Sequence, residues 1–292
     1  MGHKAGFVNI IGNPNVGKST LMNAFVGEKL SIITSKAQTT RHRILGIVNG
    51  DDFQIVYSDT PGILKPNYKL QKAMLNFVNI AISDADIILY VTDVVETFDK
   101  NIDYINKVKN IQTPIFLLIN KIDLSNQEEL ERLIEKWKKE LPNAIIFPVS
   151  ALNKFNVDNV FNKVLEVLPE NPPYFSKDEL TDKTERFFTQ EIIREKIFLN
   201  YKKEIPYSVE VSVEEFVEEN KILRIRAIIY VSRDSQKGII IGHKGQALKR
   251  VGTQARLDIE AFFEKKVFLE THVKVLKDWR DKEQNLRSFG YE

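Results

Sequence analysis

Gly12-Asn13-Pro14-Asn15-Val16-Gly17-Lys18-Ser19-Thr20 is the stretch that decides the fold of the first half of this chain. It follows an apolar run at residues 7–11 and precedes another at 21–26, so Gly-x4-Gly-Lys-Ser lies between a predicted strand and a predicted helix. In a phosphate-binding loop the glycines allow a tight turn whose N–H groups converge on a polyphosphate. Lys18 is then expected to reach the β and γ phosphates, and Ser19 to bind Mg²⁺. The flanking elements argue against the alternative, a solvated Gly-Lys turn.

Length and composition narrow the class of protein. The chain has 292 residues, 42 Lys and Arg against 40 Asp and Glu, and no cysteine. Such a length suits two domains, each with its own core. Because the charges nearly balance, any nucleic-acid signal must be local. The lack of cysteine excludes disulfides and cysteine-ligated zinc, and no apolar run is long enough for a signal peptide core or a bilayer span. A soluble intracellular protein is expected.

The first half alternates between apolar runs and segments with helical periodicity, ending with a predicted helix at 157–168. Further strands are predicted at 44–48, 53–57, 87–91, 115–119 and 145–149. Residues 49–52 read as the turn of a hairpin, and the long polar loop at 31–43 is of the kind that is usually functional. Buried strands alternating with helices predict an α/β fold with a doubly wound, mostly parallel sheet and ligands at the strands' carboxyl ends.

Polar motifs stand at those carboxyl ends. They are Asp59-Thr60-Pro61-Gly62, Asn120-Lys121-Ile122-Asp123 and Ser150-Ala151. Asp59 is expected to hold Mg²⁺ through water, and the N–H of Gly62 to meet a γ-phosphate. Asp123 can accept two hydrogen bonds from guanine that adenine cannot supply, which rejects the wrong base by about 10⁴ or more. Ser150-Ala151 would offer a backbone N–H to the guanine carbonyl oxygen. Asn-Lys-x-Asp alone is more often a helix start, but in this order the motifs predict a guanine-nucleotide site.

Residues 7–168 resemble a GTPase domain of the translation-factor-related class. The resemblance implies that Thr40 completes the Mg²⁺ shell when GTP is bound, with Thr39 as the competing choice and a disordered loop as the alternative. One departure concerns mechanism, because Ile63 follows Gly62 where Ras-like enzymes place a water-orienting glutamine. An aliphatic side chain cannot orient a water, so intrinsic hydrolysis should be slow. The residues expected to carry catalysis are Lys18, Thr40 and Gly62.

Asn15 has a second expected role by the same resemblance, because related GTPases with asparagine at this position use it to hold K⁺ beside the phosphates. The alternative is that Asn15 only caps a turn. The metal ligands are expected to be Ser19, Thr40 and Asp59. The nucleotide-binding residues are expected to be Gly12, Asn13, Pro14, Asn15, Val16, Gly17, Lys18, Ser19, Thr20, Asp59, Thr60, Pro61, Gly62, Asn120, Lys121, Asp123, Ser150 and Ala151.

The second half has a different order of elements. Residues 169–174, Pro-Glu-Asn-Pro-Pro-Tyr, stop any helix. Beyond them the periodicities predict a helix at 184–200, strands at 207–216 and 221–231, a helix through 247–262, a strand at 267–276 and a closing helix at 279–289. We therefore expect a first domain at 1–168, a linker at 169–183 and a smaller α+β domain at 184–292.

Residues 238–245, Gly-Ile-Ile-Ile-Gly-His-Lys-Gly, include a short turn between two predicted helices. Such a turn lets backbone N–H groups approach nucleic-acid phosphates. Residues 233–257 hold six basic residues against one acidic residue, and 239–241 are expected to floor a groove for unpaired bases. This arrangement resembles a type II KH domain; the alternative is a small domain with a solvated basic helix. The expected RNA-binding residues are Lys237, Gly238, Ile241, Gly242, His243, Lys244, Gly245, Lys249 and Arg250.

Together the two halves resemble the Era family of ribosome-assembly GTPases over essentially the whole chain, with further support from Gln38-Thr39-Thr40-Arg41-His42-Arg43 and from the Gln-Lys pair at 236–237. The resemblance implies GTP or GDP and Mg²⁺ as ligands. It also implies binding of the 3′ end of small-subunit (16S) ribosomal RNA during 30S maturation, under control of the nucleotide state. A cytoplasmic monomer is expected, with peripheral membrane contact as an option. The alternatives are an RNA-binding module with negligible turnover, a membrane-surface signalling GTPase and, least favoured, an ATPase.

Overall fold

The computed structural model describes residues 2–97, 102–219 and 221–291. They divide into two compact units. The first comprises Met1–Pro66 and Met74–Asp182, and the second comprises Asn67–Ala73 and Lys183–Glu292. Among the helices described in these ranges, none combines the length and the apolar character needed to cross a bilayer.

The first unit is built on a six-stranded sheet. Its elements are β1 (Lys4–Gly12), α1 (Lys18–Val26), β2 (Ile44–Asn49), β3 (Phe53–Asp59), α2 (Lys69–Ser83), β4 (Ile87–Asp93), α3 (Ile102–Lys109), β5 (Ile115–Asn120), α4 (Gln127–Glu140), β6 (Ile145–Pro148) and α5 (Val157–Val167). The strand order is β2-β3-β1-β4-β5-β6, and every pairing is parallel except that of β2 with β3. The predicted doubly wound, mostly parallel sheet is confirmed.

The core explains this arrangement. Every residue of β4 and of β5 is buried, as expected for central strands of a parallel sheet that helices cover on both faces. Burying such apolar runs places the polar residue that ends each strand at one edge of the sheet. The ligand-binding edge is therefore set by where the apolar runs stop.

The predicted linker at 169–183 is not an isolated tether, because the first unit extends to Asp182. Its backbone contacts the sheet: the N–H of Ala5 donates to the carbonyl of Pro169 (3.1 Å), and that of Ile47, in edge strand β2, donates to Leu180 (2.8 Å). Its prolines forbid a helix, so the segment satisfies its backbone against the unpaired edge of β2 instead.

The second unit has a three-stranded sheet and a helical layer. Its elements are α6 (Glu185–Asn200), α7 (Ile205–Ser208), β7 (Glu210–Glu219), β8 (Ile222–Val231), α8 (Asp234–Ile241), α9 (Gln246–Phe263), β9 (Lys266–Val275) and α10 (Glu283–Ser288). In the order β7-β8-β9, the first pair is antiparallel and the second parallel. A core through Ile193, Ile225, Ala255 and Ile259 joins the helices to the sheet. The expected α+β domain is confirmed.

Two elements of this unit differ from prediction. The strand predicted at 207–216 begins only at Glu210, because Pro206 opens the short helix α7, which includes Tyr207. The closing helix predicted at 279–289 is broken into a 3₁₀ turn, Trp279–Asp281, and α10. Trp279 is fully buried and donates its indole N–H to the Ser208 carbonyl (3.0 Å), which fixes the chain where a continuous helix was expected.

Candidate functional site

The predicted phosphate-binding loop, residues 12–20, is called the P-loop below. Its two glycines are required by close contacts with neighbouring strands. A Cβ on Gly12 would lie 2.1 Å from the carbonyl oxygen of Val91 in β4, and one on Gly17 would lie 2.1 Å from Nδ2 of Asn120. Both glycines have positive φ, 149° and 96°. The loop is therefore pressed against β4 and β5, and α1 begins at its end with its N-terminus available for an anion.

Lys18 is held inside the P-loop. Its ammonium group is buried and donates to the carbonyls of Gly12 (3.1 Å) and Asn13 (2.7 Å). Burial lowers the pKa of Lys18 to about 8, whereas the charges of Asp59 and Glu96 act to raise it. The hydrogen-bond acceptors given for this ammonium are neutral carbonyls, and an incoming polyanion would stabilise its charged form further.

The three expected metal ligands lie together. The Ser19 hydroxyl donates to Oδ2 of Asp59 (2.7 Å) and lies 2.9 Å from Oγ1 of Thr40, which itself donates to the same carboxylate (3.2 Å). Thr39 instead donates to the carbonyl of Lys36 (2.7 Å). Of the two threonines left open by the sequence, the structure therefore brings Thr40 to the cluster.

This cluster fits Mg²⁺. Oδ1 of Asp59 is buried and makes no hydrogen bond with the described residues. Burial raises the pKa of Asp59, opposed by the hydrogen bond from Ser19 and the charge of Lys18. Two hydroxyls and a carboxylate provide the oxygen ligands that Mg²⁺ prefers, and a cation would relieve the buried carboxylate.

Gly62 passes close to the P-loop, and Ile63 turns away from it. A Cβ on Gly62 would lie 2.7 Å from Cα of Pro14, and the N–H of Ile63 donates to the carbonyl of Gly12 (3.0 Å). The Ile63 side chain is buried in the core that also contains Ile11. It therefore has neither the polar atoms nor the position to orient a water at the phosphates.

Asn120 and Lys121 connect the base site to the P-loop. Asn120 donates through Nδ2 to the carbonyl of Val16 (2.8 Å) and accepts through Oδ1 from the N–H of Ala151 (2.9 Å). Lys121 donates to the carbonyl of Asn15 (2.7 Å) and pairs with Asp93 (2.5 Å). These contacts hold the predicted base-reading and phosphate-binding segments in one arrangement.

The loop after β6 contains the predicted Ser150-Ala151 pair. Asp123 accepts a hydrogen bond from the Ser150 hydroxyl (2.5 Å), so these residues do meet. The backbone N–H groups of Ser150 and Ala151, expected to serve the base, already donate to Phe155 and Asn120. The next N–H, that of exposed Leu152, makes no hydrogen bond with any described residue. The predicted role of Ser150-Ala151 at the base stays a prediction, and the N–H of Leu152 is a further donor in the same loop.

Two carboxylates after β4 escaped the sequence reasoning. Asp93 pairs with Lys121, and Glu96 accepts from the side chains of Asn13 (2.7 Å) and Thr92 (2.6 Å). They occupy the carboxyl end of a central strand, the same place that directed attention to Asp59. Glu96 thus holds Asn13 of the P-loop, and Asp93 holds Lys121, which in turn contacts Asn15.

Asn15 bridges the P-loop to the long loop at 31–43. Its backbone is left-handed (φ 66°), and its Nδ2 donates to the carbonyl of Ser35 (3.0 Å). Within the described part of the chain no hydrogen bond is made to its Oδ1. The side chain therefore does more than cap a turn within its own loop, and its Oδ1 stays available.

The Gly-x-x-Gly turn, residues 242–245, projects from the second unit between α8 and α9. Gly242, Lys244 and Gly245 all have positive φ, at 71°, 48° and 76°. His243 and Lys244 are exposed at the tip. A Cβ on Gly245 would meet no atom within 4 Å. The N–H groups of Gly242 and Gly245 donate to the carbonyls of Gly238 (2.9 Å) and Gly242 (3.2 Å), so those of exposed His243 and Lys244 are the ones open to approach by a phosphate chain.

The predicted apolar floor is only partly formed. Ile240 is fully buried in the core and its carbonyl accepts from the Tyr201 hydroxyl (2.6 Å), so it cannot contact a base. Ile239 is 50% exposed and Ile241 is half-buried. Three consecutive helical residues point in three directions, so a run of isoleucines cannot form one surface. Lys237 is half-buried beside this surface, and Lys249 and Arg250 are exposed on α9.

The fold and the two sites define a GTPase of the P-loop type joined to a KH domain. Family models agree: one described as a 50S ribosome-binding GTPase matches residues 7–121, and one described as a KH domain matches residues 204–280. GTPase Era of Staphylococcus haemolyticus (strain JCSC1435) is 46% identical over 291 residues, which cover 99% of this chain and 97% of that protein. The chain belongs to the Era family of GTPases.

Solved structures give the same result. A crystal structure of Era in complex with MgGDPNP and nucleotides 1506–1542 of 16S ribosomal RNA superposes with a TM-score of 0.95 at 38% identity, covering 99% of both chains. A tyrosine-to-alanine variant of Aquifex aeolicus Era bound to GDP and AlF4− gives a TM-score of 0.94 at 38% identity, again covering 99% of both chains.

Proposed function

We propose that this GTPase hydrolyses GTP in a Mg²⁺-dependent reaction and that its nucleotide state controls binding of its KH domain to the 3′ end region of 16S ribosomal RNA during 30S maturation. The observation that carries the proposal is the presence on one chain of the P-loop, with Asn120 and Asp123 at the end of β5, and of the exposed Gly-x-x-Gly turn in the second unit. The Era structure with both MgGDPNP and 16S nucleotides 1506–1542 supports the same pairing of ligands here.

The roles of the chain's residues follow from their positions. The P-loop N–H groups and Lys18 bind the β and γ phosphates and stabilise charge on the transferring group. Ser19, Thr40 and Asp59 would hold Mg²⁺, which neutralises developing phosphate charge when it is bound. The N–H of Gly62, adjacent to Pro14, would contact the γ-phosphate.

The residues that follow β5 and β6 select guanine. Asp123 accepts from the base edge, Asn120 positions the loop that contains Ala151, and the N–H of Leu152 donates to the guanine carbonyl oxygen. Because these buried or fixed partners would be left unpaired by adenine, ATP should compete poorly. The buried Ile63 implies slow intrinsic turnover, with acceleration supplied by another group.

We further propose that Asn15 holds K⁺ beside the phosphates. Its unengaged Oδ1, on the exposed side of the P-loop, is the kind of oxygen ligand that K⁺ requires. Single-turnover GTP hydrolysis in potassium chloride should exceed that in sodium chloride. Equal rates in the two salts reject the proposal.

The main experiment is RNA crosslinking in the GTP-bound and GDP-bound states, with crosslinked peptides mapped. We expect crosslinks within residues 237–250, and more of them with GTP. Crosslinks outside the second unit would contradict the assignment of the RNA site. Single-turnover hydrolysis with and without RNA separates a working GTPase from an RNA-binding module with negligible turnover, since only the former shows measurable hydrolysis.

We infer a cytoplasmic monomer that meets the membrane, if at all, only peripherally at its inner face. Sedimentation of the GTP-bound protein measures its oligomeric state, and a monomer is expected. Liposome flotation in moderate salt checks the rival membrane-surface signalling function, because a signalling GTPase of that kind should float with anionic vesicles in both nucleotide states.

A further inference from the structure

The connector between α6 and α7 presents two lysines that the proposed RNA site does not use. Lys202 and Lys203 are both exposed, and the backbone of Lys203 is left-handed (φ 54°). Tyr201 before them and Ile205 after the exposed Glu204 are buried in the core of the second unit. The two ammonium groups are thus carried on a short, anchored segment.

Hydrogen bonds anchor this connector to α8 and α9, the two helices that flank the Gly-x-x-Gly turn. The Tyr201 hydroxyl donates to the carbonyl of Ile240, in the last turn of α8, at 2.6 Å. Asn200 donates to Oε1 of Gln254 in α9, also at 2.6 Å. Burial raises the pKa of Tyr201, and the positive charge of Arg250 in α9 opposes that rise. The connector and the start of α9 therefore share one corner of the unit.

The cations near this connector differ in their charge pairing from the arginines of β8. Those arginines are matched with carboxylates, Arg224 with Glu219 (2.6 Å) and Arg226 with Glu215 (2.9 Å). Five cations of the connector, the Gly-x-x-Gly turn and the first half of α9 make no ion pair with any residue the structure describes; they are Lys202, Lys203, Lys244, Lys249 and Arg250. A cluster of unpaired cations creates a positive field that attracts a polyanion.

We propose that Lys202 and Lys203 bind phosphates of the RNA that extends beyond the segment held at the Gly-x-x-Gly turn. The inference rests on the proposed RNA-binding function and enlarges its footprint. RNA is favoured over an anionic membrane because the connector is hydrogen-bonded to the helix that leads into the turn, so a strand leaving the turn passes next to it.

The test compares two charge-matched variants by fluorescence anisotropy over a salt series. Lys202→Ala/Lys203→Ala removes the connector cations. The control, Lys221→Ala/Lys266→Ala, removes two exposed lysines at the far end of β8 and β9, where Ile222 pairs with Lys266. Ten-residue β8 separates that end from α8 by roughly 30 Å. Equal melting temperatures of both variants confirm folding.

Two RNAs of different length show whether the lysines contact RNA beyond the segment held at the turn. One covers nucleotides 1506–1542 of 16S ribosomal RNA, and the other is a fragment of about six nucleotides, enough for the roughly four that a KH groove clamps. With the long RNA, the connector variant should lower the slope of log K against log salt by about 1.4, or about 0.7 per lost phosphate contact. With the short RNA neither variant should change the slope.

Other outcomes overturn the inference. Equal slopes for the connector and control variants on the long RNA exclude the lysines from the footprint. Loss of binding to vesicles of equal phosphatidylcholine and phosphatidylglycerol, with RNA slopes unchanged, would assign the corner to lipid. If wild-type protein fails to bind the long RNA, or binds it equally after Gly242→Asp/Gly245→Asp, the proposed function itself fails and the inference falls with it.

Discussion

The P-loop and the Gly-x-x-Gly turn both use glycine in front of a helix to approach phosphate, but for different reasons. In the P-loop the glycines are demanded by the protein, since a Cβ at Gly12 would overlap β4. At the turn, a Cβ on Gly245 or on nearby Gly238 would meet nothing within 4 Å, whereas one on Gly242 would lie 2.6 Å from Cβ of Ala247 in the following helix. The P-loop is a closed cradle for phosphate that packs into the core. The Gly-x-x-Gly turn is an open surface, where backbone conformation and the ligand limit which residues are tolerated.

The largest effect should come from breaking the closed cradle with Gly12→Ala. The new Cβ would meet a backbone carbonyl of a central strand, and the positive φ is strained for alanine. We expect the free energy of unfolding to fall by about 3 kcal/mol or more and GDP binding to be lost. Denaturant unfolding and fluorescent GDP titration measure this. Unchanged stability would mean that the loop is not packed as tightly as described.

Gly242→Asp/Gly245→Asp should break the open surface without touching the cradle. Added carboxylates would repel RNA phosphates and the positive φ values would be strained, so RNA affinity should fall about hundredfold or more. GDP affinity should stay at the wild-type value. Retained RNA binding, or a parallel fall in GDP affinity, would contradict the contrast between the turn and the P-loop.

A pH series should change nucleotide affinity at the P-loop but not RNA affinity at the Gly-x-x-Gly turn, with an effect of intermediate size. Because burial lowers the pKa of Lys18 to about 8, the lysine loses its proton as pH rises through that value, and the empty site loses its cation. GDP affinity should then fall about tenfold per pH unit above roughly pH 8, while RNA affinity at saturating nucleotide changes little. Nucleotide affinity that stays level to pH 9.5 would contradict the buried position of this ammonium group.

Gly238→Ala should give the smallest and most specific effect. In an exposed helical position the alanine stabilises α8 by about 0.5–1 kcal/mol. If RNA passes close to the helix, affinity should nevertheless fall about fivefold, or about 1 kcal/mol. Gly252→Ala in α9, where the Cβ would meet only Thr271 at 3.6 Å, is the control for helix stabilisation. A stabilised protein with unchanged RNA affinity would move the RNA path away from Gly238.

Sequence reasoning found the cradle more completely than the surface. The P-loop, Asp59 and Asn120 each follow a buried apolar run, so the pattern that makes the strand also places the ligand residue. It could not decide between Thr39 and Thr40, because the long loop at 31–43 lacks periodicity; only the hydrogen bonds of Thr40 to Ser19 and Asp59 distinguish them.

Errors arose where long-range packing overrides local pattern. Ile240 has the same side chain as its two neighbours in sequence. It is nevertheless buried in the core, and its carbonyl accepts a hydrogen bond from the Tyr201 hydroxyl. The predicted closing helix breaks because Trp279 must bury its ring and satisfy its N–H at Ser208. Glu96 and Asp93 were missed because carboxylates after a strand carry no motif of their own, although their position at the end of β4 was informative.

The central claim is that the state of the closed cradle sets the affinity of the open surface. The most direct measurement is the dissociation constant for RNA covering 16S nucleotides 1506–1542, determined for the nucleotide-free, GDP-bound and GTP-analogue-bound protein with Mg²⁺ present. The account predicts that the GTP-analogue form binds RNA at least about tenfold more tightly than the other two, a coupling of about 1.4 kcal/mol. Equal dissociation constants in all three states would contradict it and leave two independent activities on one chain.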